Sequence, residues 1–150
     1  PLPSLRLAEP YEALRALADI EAAAGARPTV FLATLGGIAA FTARAGFARN
    51  LLGAGGITAP DAGATGSTDD VVAAFREAGT TVAVVCGTDA AYTERAAAIA
   101  AALREAGATR ILLAGKADVD GIDATLYAGC DALAVIDDVY TALENGEDAR

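Results

Sequence analysis

A doubly wound α/β fold is predicted by three observations. Short, β-branched, almost uninterruptedly apolar runs recur along the chain; alanine-rich helical stretches separate them; and glycine closes most of those stretches. Runs such as Thr29–Ala33 and Thr80–Val85 fit strands covered on both faces. Strands alternating with helices, joined by right-handed crossovers, build a parallel sheet. The expected architecture is flavodoxin-like, with five parallel strands in the order 2-1-3-4-5. It occupies residues 27–150, and residues 1–26 form a linker segment with one helix.

The elements follow in order. Pro10 suits a first helical turn, and Tyr11, Leu14, Leu17 (or Ala18) and Ile20 recur near the helical period up to Ala24. Arg27-Pro28 marks the boundary. Thr29–Ala33 is the first strand, and Ala39–Leu52 a helix ended by Gly53. Gly56–Thr58 is a short second strand closed by Pro60. Asp61–Ser67 is a loop, and Thr68 or Asp69 caps a helix that runs to Ala78 and stops at Gly79. Thr80–Val85 is the third strand, Tyr92–Ala106 a long helix, and Thr109–Leu113 the fourth strand. Ala117–Asp123 is too short for a full helix. Ala124–Ala128 is the fifth strand, and Asp131 caps a last helix that ends near Glu144.

Composition bounds the function. The chain has 150 residues, one ordinary domain, and is 54% hydrophobic and 21% charged. Forty residues are alanine and only 5% are aromatic, so helices pack closely through small side chains and a large aromatic ligand cage is not expected. The formal charge is −9, from 11 basic and 20 acidic residues, which argues against nucleic acid as a partner. Histidine is absent. That zero removes Ser-His-Asp and Cys-His catalysis, histidine acid–base chemistry and a histidine ligand to cobalt or haem. Cys86 and Cys130 are expected to be two small buried thiols in a reducing cytoplasm. No apolar run reaches the roughly 18 residues of a membrane span, and no signal peptide opens the chain. A start at Pro1 with no methionine anywhere points to a piece of a longer polypeptide.

In such folds ligands meet the carboxyl ends of the strands. The loops to inspect are Thr34–Ala39 and Cys86–Ala91. Gly36-Gly37 lacks the G-x-G-x-x-G spacing and reads as a tight turn, and no G-x-x-x-x-G-K-[ST] exists. No acid follows the first strand to hold Mg²⁺; Asp89 and Lys116 are the charged residues expected at these edges. Asp69-Asp70 suit a helix N-terminus, and Asp137-Asp138 read as a solvated helix face. Asp118, Asp120 and Asp123 lack the rest of a calcium loop.

The run RPTVFLATLGGIAAFTARAGFARNLLGAGGI (Arg27–Ile57), the upstream RLAEPYEALR (Arg6–Arg15) and the later LYAGCDALAVI (Leu126–Ile136) resemble the carboxyl-terminal region of the small subunit of bacterial methylmalonyl-CoA mutase. The resemblance covers nearly the whole chain. It implies a cobalamin-binding-like domain in a non-catalytic subunit, with adenosylcobalamin held by a large catalytic partner that interconverts methylmalonyl-CoA and succinyl-CoA. The partner's D-x-H-x-x-G motif falls here on Ile38, Ala40 and Ala43. Its S-x-L motif falls near Cys86-Gly87-Thr88, and of its Gly-Gly pair only Gly115 remains, after Ala114.

The resemblance therefore implies a degenerate domain with no catalytic residue, no metal and no bound cofactor. Its expected partners are the large subunit, in a heterodimer, and the rest of its own subunit; nucleic acid and membrane are not expected. Two rivals stand beside it: a flavodoxin-like module binding another small ligand, a nucleotide or an acyl-CoA fragment, at Gly36-Gly37 and Gly115, and an independent regulatory domain of that fold. A stand-alone enzyme ranks last, because no nucleophile–base pair lies at the strand ends.

Overall fold

The computed structural model describes residues 28–148. The helix expected over Pro10–Ala24, and the 1–26 linker with it, lie outside the described residues. Four strands form one parallel sheet in the order β1-β2-β3-β4: β1 Phe31–Thr34, β2 Val82–Cys86, β3 Arg110–Ala114 and β4 Ala124–Leu126. Phe31 pairs with Ala83, Ala83 with Ile111, and Leu112 with Ala124. The α/β class and the parallel sheet stand as expected.

Among the described residues the sheet has four strands, and the expected five-strand order is not confirmed. The expected second strand is an extended segment that touches the outer edge of β1 through isolated parallel bridges, Thr29 to Thr58 and Leu32 to Asp61. Thr58 N–H donates to the Pro28 carbonyl at 2.9 Å, and Ala62 N–H to the Leu32 carbonyl at 3.2 Å. The rung between them would need an N–H at position 60. Proline has none, so the ladder is interrupted there.

Side chains alternate across a strand, and each face of the sheet is covered. On one face Val30, Leu32, Val84, Leu112 and Leu126 pack under α1 (Ile38–Ala54) and α4 (Ala132–Asp148). On the other, Phe31, Ala33, Val85, Ile111 and Leu113 pack under α2 (Thr68–Ala78) and α3 (Ala97–Glu105). This two-sided burial is why the strand sequences read as continuous apolar runs. Alanine lets the helices lie close: Ala45 and Ala48 of α1 and Ala96 and Ala100 on the opposite face are buried against the sheet.

Several boundaries move for identifiable reasons. α1 runs through Gly53 to Ala54, and Gly55 is its C-cap. A Cβ at Gly55 would come within 2.7 Å of Ile136 Cγ2, so glycine allows α1 to end against α4. Ser67, rather than Thr68 or Asp69, caps α2: its hydroxyl accepts from Asp70 N–H at 3.2 Å. Gly79 ends α2 in the left-handed conformation, φ +67°, as expected of a glycine stop. The long helix begins earlier than Tyr92. Asp89–Ala91 makes its first turn, Tyr92–Ala96 a π-helical turn, and α3 follows. Asp131 accepts from Ala134 N–H at 3.1 Å, as its capping role requires, and α4 continues past Gly146 to Asp148.

Between β3 and β4 there is no helix. Asp123 closes this connection by accepting from Ile111 N–H at 2.8 Å while paired with Arg104 at 2.7 Å. Asp138, read as part of a solvated face, is instead half-buried and paired with Arg110 at 2.9 Å. Cys86 is buried as expected, whereas Cys130 is only half-buried.

Candidate functional site

The carboxyl ends of β1 and β2 are fixed by hydrogen bonds. Leu35 N–H donates to the Cys86 carbonyl at 2.9 Å. Thr34 donates to the Gly63 carbonyl and Thr65 to the Thr34 carbonyl, each at 2.7 Å, so the 61–65 loop is tied over the end of β1. Gly36 turns the chain at φ +87° into α1, whose N-cap, Gly37, contributes no side-chain bond. The Gly36-Gly37 pair is therefore a turn, as read from the sequence.

The positions aligned with D-x-H-x-x-G lie together on the start of α1. Ile38 is 67% exposed and is the exposed large hydrophobic residue among those described. Ala39, Ala40, Thr42 and Ala43 are exposed beside it. This helix start presents methyl and methylene groups at the sheet edge. None of Ile38, Ala40 and Ala43 can ligate a metal or hold a proton. The residues do not fit a histidine-ligated cobalamin, and among the described residues no cluster of metal-ligating side chains exists.

Gly115 lies elsewhere, in a cleft of about 510 Å³ at the ends of β3 and β4. α1 supplies Arg44 and Phe47 to its wall, the loop after β3 supplies Gly115 and Lys116, and the residues after β4 supply Tyr127 and Ala128. Gly36-Gly37 is not part of it. Sequence reading placed Asp89 and Lys116 at the edge but missed Arg44 and Tyr127. Arg44 lies in the run FTARAGFAR, where nothing but its charge marks it.

Arg44 is held on three sides. One nitrogen donates to the Gly87 carbonyl at 2.8 Å, another pairs with Asp89 at 2.9 Å, and the guanidinium carbon lies 5.1 Å from the centre of the Tyr92 ring. Tyr92 itself is buried in the π-helical turn. Its hydroxyl accepts from Gly87 N–H at 3.0 Å and donates to the Ala114 carbonyl at 2.5 Å, with the Val85 carbonyl at 3.2 Å as a second acceptor. Burial pushes its phenol up to about 12. Burial likewise pushes the Cys86 thiol up to about 12, so neither group is a nucleophile at neutral pH. Lys116 Nζ sits 4.8 Å from the centre of the Tyr127 ring.

Fold and edge together define a parallel-sheet α/β domain of the kind that meets ligands or partners at the carboxyl ends of its strands. No family model matches the chain. Over 136 residues, 90% of its length, it is 46% identical to the methylmalonyl-CoA mutase small subunit of Streptomyces virginiae. Over 115 residues, 75% of its length, it is 47% identical to the probable methylmalonyl-CoA mutase small subunits of Mycobacterium tuberculosis and Mycobacterium bovis. The matched segments are 22% and 18% of those proteins, so the chain spans about a fifth of the length of the curated relatives it matches. The chain is a homologue of one segment of the methylmalonyl-CoA mutase small subunits, and the resemblance read from the sequence is borne out. Among the described residues no helix is long and apolar enough to cross a membrane.

Proposed function

We propose that this chain is the carboxyl-terminal, cobalamin-binding-like domain of a methylmalonyl-CoA mutase small subunit, and that it serves assembly and stability rather than catalysis. The observation that carries this reading is the start of α1. Where the resemblance aligns a cobalt-binding motif, Ile38, Ala40 and Ala43 form an exposed apolar surface. Such a surface packs; it has no group with which to catalyse.

In this reading the domain holds no cofactor. Adenosylcobalamin and the interconversion of methylmalonyl-CoA and succinyl-CoA belong to a large catalytic subunit, partnered in a cytoplasmic heterodimer. Residues 1–26 link the domain to the rest of its own subunit, and the Thr58–Ala62 segment is the reduced remnant of a fifth strand in the order 2-1-3-4-5.

The test places an acid in the patch. Ile38→Asp should leave the melting temperature of the free small subunit unchanged, because the side chain is exposed. It should weaken association with the large subunit by tenfold or more in a sedimentation titration, the loss expected when a buried interface residue is removed. Unchanged association would refute the role of this surface. A parallel absorbance titration with adenosylcobalamin should show no saturable binding to the small subunit, and saturable binding would refute the empty-domain reading.

A further inference from the structure

We propose that the cleft between α1 and the loops after β3 and β4 binds a small phosphomonoester carrying a flat ring, of nucleoside monophosphate size. Lys116 and Arg44 take the phosphate; Phe47 and Tyr127 face the ring. The inference goes beyond the assembly reading and uses different residues.

Size comes first. About 510 Å³ lies within the range of roughly 300–1,000 Å³ found for small-ligand sites. Charge comes second. The chain carries 20 acids against 11 basic residues, yet of the three charged residues lining this cleft two are cationic, Arg44 and Lys116. Lys116 is the sole lysine of the chain. It is exposed, lies over the Tyr127 ring, and among the described residues makes no ion pair.

Preorganisation comes third. Arg44 is already fixed by Gly87 and the Tyr92 ring, so little side-chain freedom remains to be lost when an anion arrives. Its carboxylate partner Asp89 is 81% exposed, and such a surface pair contributes little that an incoming phosphate would have to replace. Gly115, at φ +139°, brings the loop after β3 against this arginine: a Cβ there would lie 3.4 Å from Arg44 Cζ and from Tyr92 Cε2. The walls that remain, Phe47, Leu126, Tyr127 and three alanines, are uncharged and suit a ring rather than a second charge.

Calorimetric titration of the protein with AMP, adenosine and inorganic phosphate tests this. AMP should saturate one site, and adenosine and phosphate should each bind at least tenfold more weakly. Lys116→Ala should weaken AMP about tenfold, with the circular dichroism spectrum unchanged. Ala128→Trp, at an exposed lining position, should abolish binding by filling the cleft. Absence of saturable AMP binding up to millimolar concentration, equal binding of adenosine, or an unaltered affinity in Lys116→Ala would each overturn the proposal. Neither substitution lies in the exposed patch of α1, so failure here leaves the Ile38→Asp result to be read separately.

Discussion

The Tyr92 hydroxyl meets the Ala114 carbonyl at 2.5 Å and so joins the carboxyl end of β3 to a helical turn that starts after β2. The same oxygen accepts from Gly87 N–H. One phenol therefore satisfies two backbone groups that a parallel sheet leaves open where its strands end.

Tyr92→Phe keeps the ring and removes that oxygen. Gly87 N–H and the Ala114 carbonyl then lose their partner in a buried setting, and the expected loss of stability is about 1–3 kcal/mol. Urea unfolding measures it: the midpoint should fall while the slope stays constant.

Stability should also fall at alkaline pH, and the sign follows from two buried acids. In the folded chain Cys86 and Tyr92 hold their protons until about pH 12; their ordinary values are 9.0 and 10.0. Between those limits the unfolded chain has released protons that the folded chain retains. Each group's contribution is therefore complete below its ordinary value and is lost as pH rises towards 12. Each such group tilts stability by about 1.4 kcal/mol per pH unit. Urea midpoints from pH 8 to 11 should decline from about pH 9, and Cys86→Ala should delay the onset by about one unit. A flat profile would contradict this account.

Gly55→Ala tests the close approach of α1 and α4. The added methyl meets Ile136 Cγ2 at 2.7 Å, and overpacking of this kind costs about 1–3 kcal/mol. Pairing it with Ile136→Val should make the two changes non-additive, because each alters the same contact. Thermal melts of the single and double variants give the coupling.

Much of this fold was legible because two-sided burial writes itself into sequence. VFLA, VAVV and ILLA are apolar on consecutive positions, and each became a strand core. Gly79 and Asp131 were legible for local reasons, a left-handed stop and a side-chain cap. The failures are equally local. Gly56–Thr58 has the β-branched residues of a strand, but Pro60 removes the rung that would continue it. The π-helical turn at Tyr92 left no mark in an alanine-rich run, since the bonds that hold its hydroxyl come from strand ends distant in sequence. Ile38, Ala40 and Ala43, named from the sequence only as motif positions, lie exposed together on the start of α1, a grouping that the motif spacing alone did not state. Gly115 was separated from Gly36-Gly37 by the fold, and Arg44 became visible only through its neighbours.

The ion pairs have a consequence at longer range. Four of the six arginines between residues 28 and 143 are bonded to aspartates of the same chain: Arg44, Arg49, Arg104 and Arg110. Their fields cancel within a few ångströms, and the surplus of carboxylates sets the potential a diffusing molecule meets. Encounter with a basic surface should therefore be fast in dilute buffer and slow as salt is added, whereas an acidic surface should show the reverse. The salt dependence of the association rate thus reports the sign of the charge on whatever face this domain meets.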